Sequence, residues 1–200
     1  MDTLILATGN RHKAEEIQES LKGMGLTLRT LKDFPDCPAV EEDGKTCQDN
    51  AIKKATAIAA YTGQWALADD TGLEVDALDG RPGVYAARYA GEQATYEDNC
   101  RKLLQELEGV PGDKRTARFL TVMALSDPQG NTQVVEGVLQ GVITTSFQGT
   151  QGFGYDPVFF VPEENKTLAD MTLTEKNQIS HRALALQKTK ALLATYQQTG

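Results

Sequence analysis

The first 24 residues constrain the fold most, because they place an apolar run, a glycine turn and an amphipathic segment in succession. Residues 3–7 form a short apolar run typical of a buried strand, and residues 13–24 carry Ile17 and Leu21 on one helical face. The turn between them brings backbone N–H groups and the positive end of a helix to one spot, which is where phosphates bind. Lys13 can add a full charge there. The spacing of a Walker loop is absent, and an ordinary strand-to-helix turn would explain the pattern about as well.

Composition and charge exclude several classes of protein. A chain of 200 residues with 40% hydrophobic content can bury one substantial core, so we expect one domain over residues 1–200. The net charge of −8 argues against a nucleic-acid polymer as partner, since binding to a phosphate backbone needs a basic face. No stretch approaches the ~18 to 20 apolar residues that cross a membrane, and no signal peptide is evident, so we expect no membrane association and a cytoplasmic location. Cys37, Cys47 and Cys100 are not spaced as metal ligands, which fits a reducing compartment.

Two adjacent carboxylates are the main candidates for chemistry. Asp69 and Asp70 follow an apolar run and precede Thr71 and Gly72, so we expect them where a strand leaves the core and the backbone turns. Mg²⁺ takes oxygen ligands and usually keeps waters and substrate phosphates, so one or two Asp at a strand end would form half of a metal site. A solvated Asp-Asp turn is the simpler alternative.

An acidic cluster lies just ahead of a predicted helix. Glu41 and Glu42 precede Thr46, which opens the helix with the spacing of a capping box. Acidic residues before a helix are commonly partners of its dipole and nothing more. Lys54 falls four residues after Asn50 on the same helical face, so the two side chains can point together into a cleft.

The middle of the chain carries a second capped helix and two long strand-like runs. Thr95 and Asp98 have the spacing of a capping box, and the helix that follows is interpreted as structural. Residues 117–125 and 132–143 are joined by a turn rich in Asp, Pro, Gly and Asn, which predicts a long antiparallel hairpin that can project from the core as a lobe.

The last 50 residues contain an aromatic glycine loop and a basic helix start. Phe153 lies between two glycines, which let the backbone approach a flat ligand while the ring stacks on it, and Asp156 adds an acceptor. An aromatic turn packed on the core is the alternative. Lys176, His181 and Arg182 crowd donors into the start of a long helix, against the dipole preference, so an anionic or acceptor-rich ligand would explain them.

Six motifs together resemble the inosine triphosphate pyrophosphatase family, which hydrolyses non-canonical purine nucleoside triphosphates. The resemblance covers essentially the whole chain. In order, the motifs are Thr8-Gly9-Asn10-x-x-Lys13, Asn50-Ala51-x-x-Lys54, Ala68-Asp69-Asp70-Thr71-Gly72-Leu73, Gly83-x-Tyr85-x-x-Arg88, Phe153-Gly154-Tyr155-Asp156-Pro157 and Ser180-His181-Arg182. The departures are small, since Thr71 stands where many bacterial members have Ser and Asp49 stands where Glu is common.

The resemblance implies an α/β fold that is elongated and two-lobed, with a central curved mixed sheet flanked by helices and a cleft between the lobes, usually assembled as a homodimer. It implies Mg²⁺-assisted attack of water at the α-phosphate of ITP, dITP or XTP, giving the monophosphate and pyrophosphate. By motif, Asp70 binds the metal and accepts a proton, Glu41 is chosen over Glu42 as the second metal ligand, and Lys13 and Lys54 assist catalysis. The expected substrate contacts are Thr8, Gly9, Asn10, Arg11, His12, Lys13, Thr71, Phe153, Gly154, Tyr155, Asp156, Lys176, His181 and Arg182.

The implied base selectivity has a physical basis in hydrogen bonding. Hypoxanthine and xanthine present an acceptor at C6, which suits donors such as Arg182 or His181, whereas adenine presents a donor there. A donor facing a donor costs roughly 1 to 3 kcal/mol for each unpaired group. Two alternatives stay open at this point: a pyrophosphatase of modified pyrimidine or canonical nucleotides, and a non-catalytic nucleotide-binding module.

Overall fold

A mixed β-sheet with helices packed on it forms the framework of the protein. The computed structural model describes residues 1–198. The strands are β1 (Thr3–Leu6), β2 (Thr27–Thr30), β3 (Trp65–Val75), β4 (Pro82–Gly83), β5 (Thr116–Ser126), β6 (Thr132–Ile143), β7 (Phe159–Val161) and β8 (Lys166–Thr167). The helices are α1 (Arg11–Leu21), α2 (Cys47–Thr62), α3 (Tyr96–Glu106), α4 (Leu173–Ile179) and α5 (His181–Gln198). The strand order is β2-β1-β3-β5-β6-β7-β8, with β4 paired to β3.

Both parallel and antiparallel pairs occur in the sheet. β1 is parallel to β2 and to β3, whereas β3 with β4, β6 with β7 and β7 with β8 are antiparallel. This arrangement confirms the predicted α/β class with a mixed central sheet. Two crossover connections, through α1 and then through α2, step across the sheet in opposite directions. Since such crossovers are right-handed, α1 and α2 cover opposite faces.

Side-chain caps begin α2 and α3 where the sequence predicted them, whereas the cap of α1 begins that helix earlier. The Asn10 side chain accepts hydrogen bonds from the backbone N–H groups of His12 and Lys13, so α1 begins at Arg11, two residues before the predicted start. Thr46 and Thr95 cap α2 and α3 with complete capping boxes. These caps satisfy backbone donors that the first turn of a helix leaves without partners.

β3 corrects the prediction that the chain turns after Asp70. The strand is continuous from Trp65 to Val75 and carries Asp69, Asp70 and Gly72 in its interior. Asp69 is fully buried and Asp70 is 7% exposed. A solvated turn is therefore excluded, because a buried strand holds two carboxylates only where other groups compensate their charge.

The long hairpin is confirmed, and both of its strands belong to the central sheet. β5 and β6 are joined by a turn at residues 127–131, in which the Asn131 carbonyl accepts from the Asp127 N–H. β5 lies between β3 and β6 in the sheet, and β6 lies between β5 and β7. β7 pairs with β6 at Val142 and Ile143, the last two residues of that strand.

The predicted final helix is interrupted at Ser180. Ser180 has extended backbone angles, ends α4 by donating its N–H to the Lys176 carbonyl, and accepts the Ala183 N–H on its Oγ. One serine thus ends α4 and caps α5. Consequently, His181 and Arg182 occupy the first two positions of α5.

The described chain divides into two compact units, each with its own hydrophobic core. The first unit comprises residues 1–70, 121–137 and the chain from residue 184, and the second unit comprises residues 71–120 and 138–183. The core of the first unit includes Leu4, Ile17, Leu67, Met123 and Leu193. The core of the second unit includes Leu73, Leu103, Phe119, Val158 and Phe159. The single domain and the cleft stay predictions.

None of the helices within residues 1–198 is both long and apolar enough to cross a bilayer.

Candidate active site

In the first unit, the capped start of α1 forms the turn for which the sequence predicts phosphate binding. The Asn10 N–H donates to the Thr8 hydroxyl at 3.2 Å, and the Asn10 side chain accepts the His12 N–H at 3.0 Å. These bonds fix the turn so that the positive end of α1 lies at residues 9–11. The Arg11 guanidinium pairs with Glu15 at 2.7 Å along the exposed side of the helix. The backbone N–H of Arg11 can therefore contribute to the turn, but its guanidinium points along α1 toward Glu15.

Lys13 forms an ion pair that the sequence did not predict. Its Nζ lies 2.9 Å from Asp69 Oδ2, and the two side chains are 16% and 0% exposed. Successive side chains of a strand point to opposite faces, so Asp69 and Asp70 reach different helices. Asp69 meets Lys13 on α1. Its role is to hold that ammonium group at the start of the helix.

Asp70 points to α2, where Asn50 receives it. The Asn50 amide donates to Asp70 Oδ2 at 3.0 Å, and the Gly44 N–H donates to the Asn50 side-chain oxygen at 2.8 Å. Burial raises the pKa of the Asp70 carboxyl above its ordinary value, while the charges of Lys54 and Lys13 and the Asn50 hydrogen bond lower it. The dominance of desolvation marks Asp70 as a carboxyl held ready to take a proton.

Lys54 joins the acidic cluster to β3. Its Nζ donates to Glu42 Oε2 at 2.9 Å and to the Asp69 backbone carbonyl at 2.7 Å. Glu42 is close enough to Asp70 for its charge to raise the pKa of that carboxyl. Glu41, the predicted metal ligand, is exposed. The structure thus brings Glu42 to Lys54 and Asp70.

Carboxylate oxygens are the available metal donors in the first unit. Within residues 1–198, no group of three or more His, Cys, Asp or Glu side chains is arranged to hold a metal ion by itself. Asp70 with one neighbouring glutamate therefore forms a partial donor set. A cation that accepts waters or substrate phosphates as its remaining ligands is suited to such a site.

In the second unit, a buried ion pair shapes the loop of residues 152–156. Lys176 Nζ lies 2.6 Å from Asp156 Oδ2, and the side chains are 7% and 5% exposed. The same oxygen accepts the Phe153 N–H at 3.0 Å. Gly152 has φ +78°, and a Cβ there would collide with Asp156 Oδ2. The loop therefore wraps closely around one carboxylate, which explains the glycine.

Two cations lie against the ring of Phe153. Lys176 Nζ is 5.0 Å and Arg182 Cζ is 5.5 Å from the ring centroid. Arg182 also donates to the Thr71 hydroxyl at 3.4 Å. A cation near an aromatic face is stabilised by the ring quadrupole, which accounts in part for a buried arginine at the start of α5. The structure thus groups Thr71, Phe153, Lys176 and Arg182.

Two other predicted residues of this group have structural contacts. The His181 ring stacks on Phe119 at 4.4 Å between centroids. Tyr155 is buried and donates its hydroxyl to the Ala86 carbonyl at 2.9 Å. Tyr155 is therefore the aromatic residue that packs on the core, whereas Phe153 is half-buried. Their contacts with a substrate stay predictions.

Comparison with known proteins decides the family. The family model described as the Ham1 family matches residues 4–192 of this chain. The chain belongs to the Ham1 family. It is 55% identical to the dITP/XTP pyrophosphatase of Geobacter sulfurreducens over 93% of this chain and 94% of that protein. It is 47% identical to the protein of the same name from Bacillus licheniformis, over 96% and 98% of the two chains.

Solved structures of Ham1 proteins share this fold. The HAM1 protein from Coxiella burnetii superimposes with a TM-score of 0.91 at 39% identity, over 98% of this chain and all of that one. The Staphylococcus aureus Ham1 protein gives a TM-score of 0.89 at 38% identity, with the same coverage. The resemblance inferred from six sequence motifs is thereby confirmed.

Sequence reasoning missed two partners in this Ham1 chain. The pairing of Asp69 with Lys13 and the pairing of Glu42 with Lys54 were not predicted. The available signal was the strand alternation, which sends neighbouring carboxylates to opposite faces, where each needs a partner that compensates its burial. The apolar residues on both sides of the Asp pair pointed to a continuous strand, but the following glycine favoured a turn.

Proposed function

We propose that this Ham1-family chain hydrolyses ITP, dITP and XTP, non-canonical purine nucleoside triphosphates, to the monophosphate and pyrophosphate. It is a nucleoside-triphosphate pyrophosphatase. The observation that carries the proposal is the buried Asp70 carboxyl, which accepts a hydrogen bond from Asn50. Burial raises the pKa of this carboxyl, even though the charges of Lys13 and Lys54 lower it. Relatives named dITP/XTP pyrophosphatase, 55% and 47% identical to this chain, support the substrate class.

Mg²⁺ is the cation that we propose for this site. The donors around Asp70 are carboxylates, the ligand type that this hard cation prefers together with waters and phosphates. Because burial raises the pKa of Asp70, a neighbouring cation would restore its charged form. Asp70 would hold the ion with one of the acidic pair, and the closeness of Glu42 to Asp70, whose pKa its charge raises, favours Glu42 over Glu41. When bound, Mg²⁺ would neutralise phosphate charge at the reacting centre.

Asp70 orients the attacking water and accepts its proton. A carboxyl whose pKa is raised toward neutrality is a stronger base than an exposed carboxyl. The Asn50 amide fixes the carboxyl by donating to one of its oxygens. The direction of the proton acceptor is therefore set before substrate binds, and this positioning reduces the cost of reaching the transition state.

Lys13, Lys54 and the start of α1 stabilise the negative charge of the triphosphate. Lys13 is held by Asp69 and Lys54 by Glu42, so both ammonium groups are oriented without substrate. The N–H groups at the start of α1 add donors that need no reorientation. Preorganised charge of this type stabilises the transition state more than mobile charge does.

Phe153 and Arg182 are the residues that we propose for the base. Phe153 offers an aromatic face, and Arg182 offers donors that match the C6 oxygen of hypoxanthine or xanthine. Adenine would leave a donor opposite the guanidinium, which costs roughly 1 to 3 kcal/mol for each unpaired group. Guanine shares the C6 oxygen, so its rejection must come from the C2 side.

We further propose a cytoplasmic homodimer. All three cysteines of the described chain are free thiols, which fits a reducing compartment. The resemblance to the inosine triphosphate pyrophosphatase family supports the dimer, since members of that family usually assemble as homodimers. Light scattering of the purified protein gives the mass, and a monomer at micromolar concentration would contradict the dimer.

A substrate panel tests the activity. The purified chain with Mg²⁺ should release pyrophosphate from ITP, dITP and XTP, and much more slowly from ATP, GTP, dTTP and UTP. Orthophosphate as the direct product would refute attack at the α-phosphate. Faster turnover of pyrimidine or canonical nucleotides would favour the first alternative class, and no metal-dependent release from any nucleotide would favour a non-catalytic module.

A further inference from the structure

Helix α3 reaches the loop that carries Phe153 through two side chains of its first half. The Tyr96 ring lies 5.9 Å from the Phe153 ring, between centroids, with 43° between the planes. One turn further along, the Cys100 thiol donates to the Gly154 carbonyl at 3.3 Å. Tyr96 and Cys100 are four residues apart, so they lie on the same face of the helix. The two contacts fall on adjacent residues of the loop, Phe153 and Gly154.

The loop needs support from outside itself. Gly152 and Gly154 both have positive φ angles, so the segment follows a path that few other residues can adopt. The Asp156 carboxylate accepts the Phe153 N–H and so fixes the backbone, but that bond does not orient the aromatic ring. The groups that touch the ring, which include the cations of Lys176 and Arg182 and the ring of Tyr96, therefore orient it.

Tyr96 differs from the other side chains that support the loop, because it is 43% exposed. Cys100 is buried, and burial raises the pKa of its thiol to about 12, so it remains a neutral donor over the working pH range. A tyrosine that is 43% exposed contributes less to folding by burial than a fully buried one does. Its contact with Phe153 is thus better explained by the position of that ring than by the stability of α3.

The same helix also fixes the neighbouring segment of the second unit. The Asn99 side chain accepts the Ala90 N–H at 2.7 Å and donates to the Ala87 carbonyl at 3.1 Å. The Thr95 cap sets where the helix begins, and therefore where Tyr96 stands. α3, which the sequence indicated to be only structural, thus has a face directed at the aromatic loop.

We propose that Tyr96 is a positioning residue for the purine base, holding the Phe153 ring in the orientation that stacks on the substrate, with Cys100 holding the loop beneath it. The inference rests on the proposed function, in which Phe153 contacts the base. Tyr96 acts through Phe153. Its substitution should weaken binding of the base while leaving the phosphate-binding residues of the first unit unchanged.

Steady-state kinetics of Tyr96→Ala and Tyr96→Phe test the inference. Aromatic pairs contribute enough to change affinity by about twofold to tenfold, so Tyr96→Ala should raise KM for ITP by that factor. The value of kcat should stay within about twofold of wild type, because the residues that act on the α-phosphate are unaltered. Tyr96→Phe keeps the ring and should restore the KM of wild type.

Inorganic tripolyphosphate separates positioning of the base from a general loss of structure. It competes through phosphate contacts alone, so its inhibition constant should be the same for wild type and Tyr96→Ala. Tyr61→Ala, at another exposed tyrosine of a helix, is the matched control and should leave both constants unchanged. An equal rise in KM and in the tripolyphosphate constant would overturn the inference.

Cys100 provides a second arm that does not depend on the aromatic contact. Cys100→Ala removes the donor to Gly154 and should raise KM for ITP, whereas Cys100→Ser keeps a donor and should stay closer to wild type. If wild type is active and Tyr96→Ala has an unchanged KM, or if Tyr96→Phe fails to restore it, the inference is wrong and the proposed function stands. If wild type releases no pyrophosphate from any nucleotide, the proposed function itself has failed.

Discussion

Replacing Asp70 by Asn separates catalysis from folding at the centre of the site. Asp70 is 7% exposed and accepts the Asn50 amide at 3.0 Å. An Asn side chain has nearly the same volume and keeps an oxygen that can accept this bond, but it cannot ionise. The variant therefore removes a negative charge and a proton acceptor while leaving the packing in place.

The effect on stability follows from the direction of the pKa. Burial raises the pKa of Asp70 above its ordinary value of 3.8, so the fold favours the protonated acid. This contribution to stability is complete below the unfolded pKa and is lost as pH rises through the folded pKa. Each pKa unit corresponds to about 1.4 kcal/mol. An Asn side chain does not ionise, so it does not lose this stability as pH rises. In metal-free buffer, Asp70→Asn should therefore be at least as stable as wild type at pH 7.

The effect on activity should be large and opposite in sign. The proposed proton acceptor and a proposed metal ligand disappear together, so kcat/KM for ITP should fall by more than ~10³-fold, or roughly 4 kcal/mol. Pyrophosphate release measures the rate, and urea unfolding without metal measures the stability at pH 4 and pH 7. Activity within tenfold of wild type would refute the catalytic role of Asp70. A variant less stable than wild type at pH 7 would refute the argument from burial.

Three further predictions concern the lysine pair, the base and the loop. Lys13→Ala should lower kcat/KM by at least ~10²-fold, and it should also lower the free energy of unfolding because Asp69 stays buried without that cation. Adding Asp69→Asn should recover the stability measured by urea unfolding but not the rate. If Lys13→Ala alone is as stable as wild type, the pairing is contradicted. Arg182→Ala should narrow the ratio of kcat/KM for ITP over ATP, mainly by slowing ITP, and an unchanged ratio would move base recognition elsewhere. Gly152→Ala should lower the Tm more than Gly130→Ala, because both glycines have positive φ but only a Cβ at residue 152 would meet another side chain, and a Cβ at residue 130 would have nothing within 4 Å. Equal losses of Tm would contradict the close packing of the loop.

Local sequence patterns determined the helix starts, the long hairpin and the membership of a family. Capping depends on side chains within three residues of the helix start, so Thr46 and Thr95 could be identified from spacing alone. The turn at residues 127–131 likewise depends on residues within it. The six motifs indicated the family because their order along the chain is itself a property of the sequence.

Tertiary structure decided how the site residues are used. The sequence favoured a turn after Asp70, but pairing with neighbouring strands continues β3 to Val75 and buries both carboxylates. Only the packing of α1 and α2 against that strand shows that Lys13 compensates Asp69 and that Asn50 receives Asp70. Each of these partners is distant in sequence. A local pattern gives the face to which a strand side chain points, but the group that meets it there depends on how remote segments pack in three dimensions.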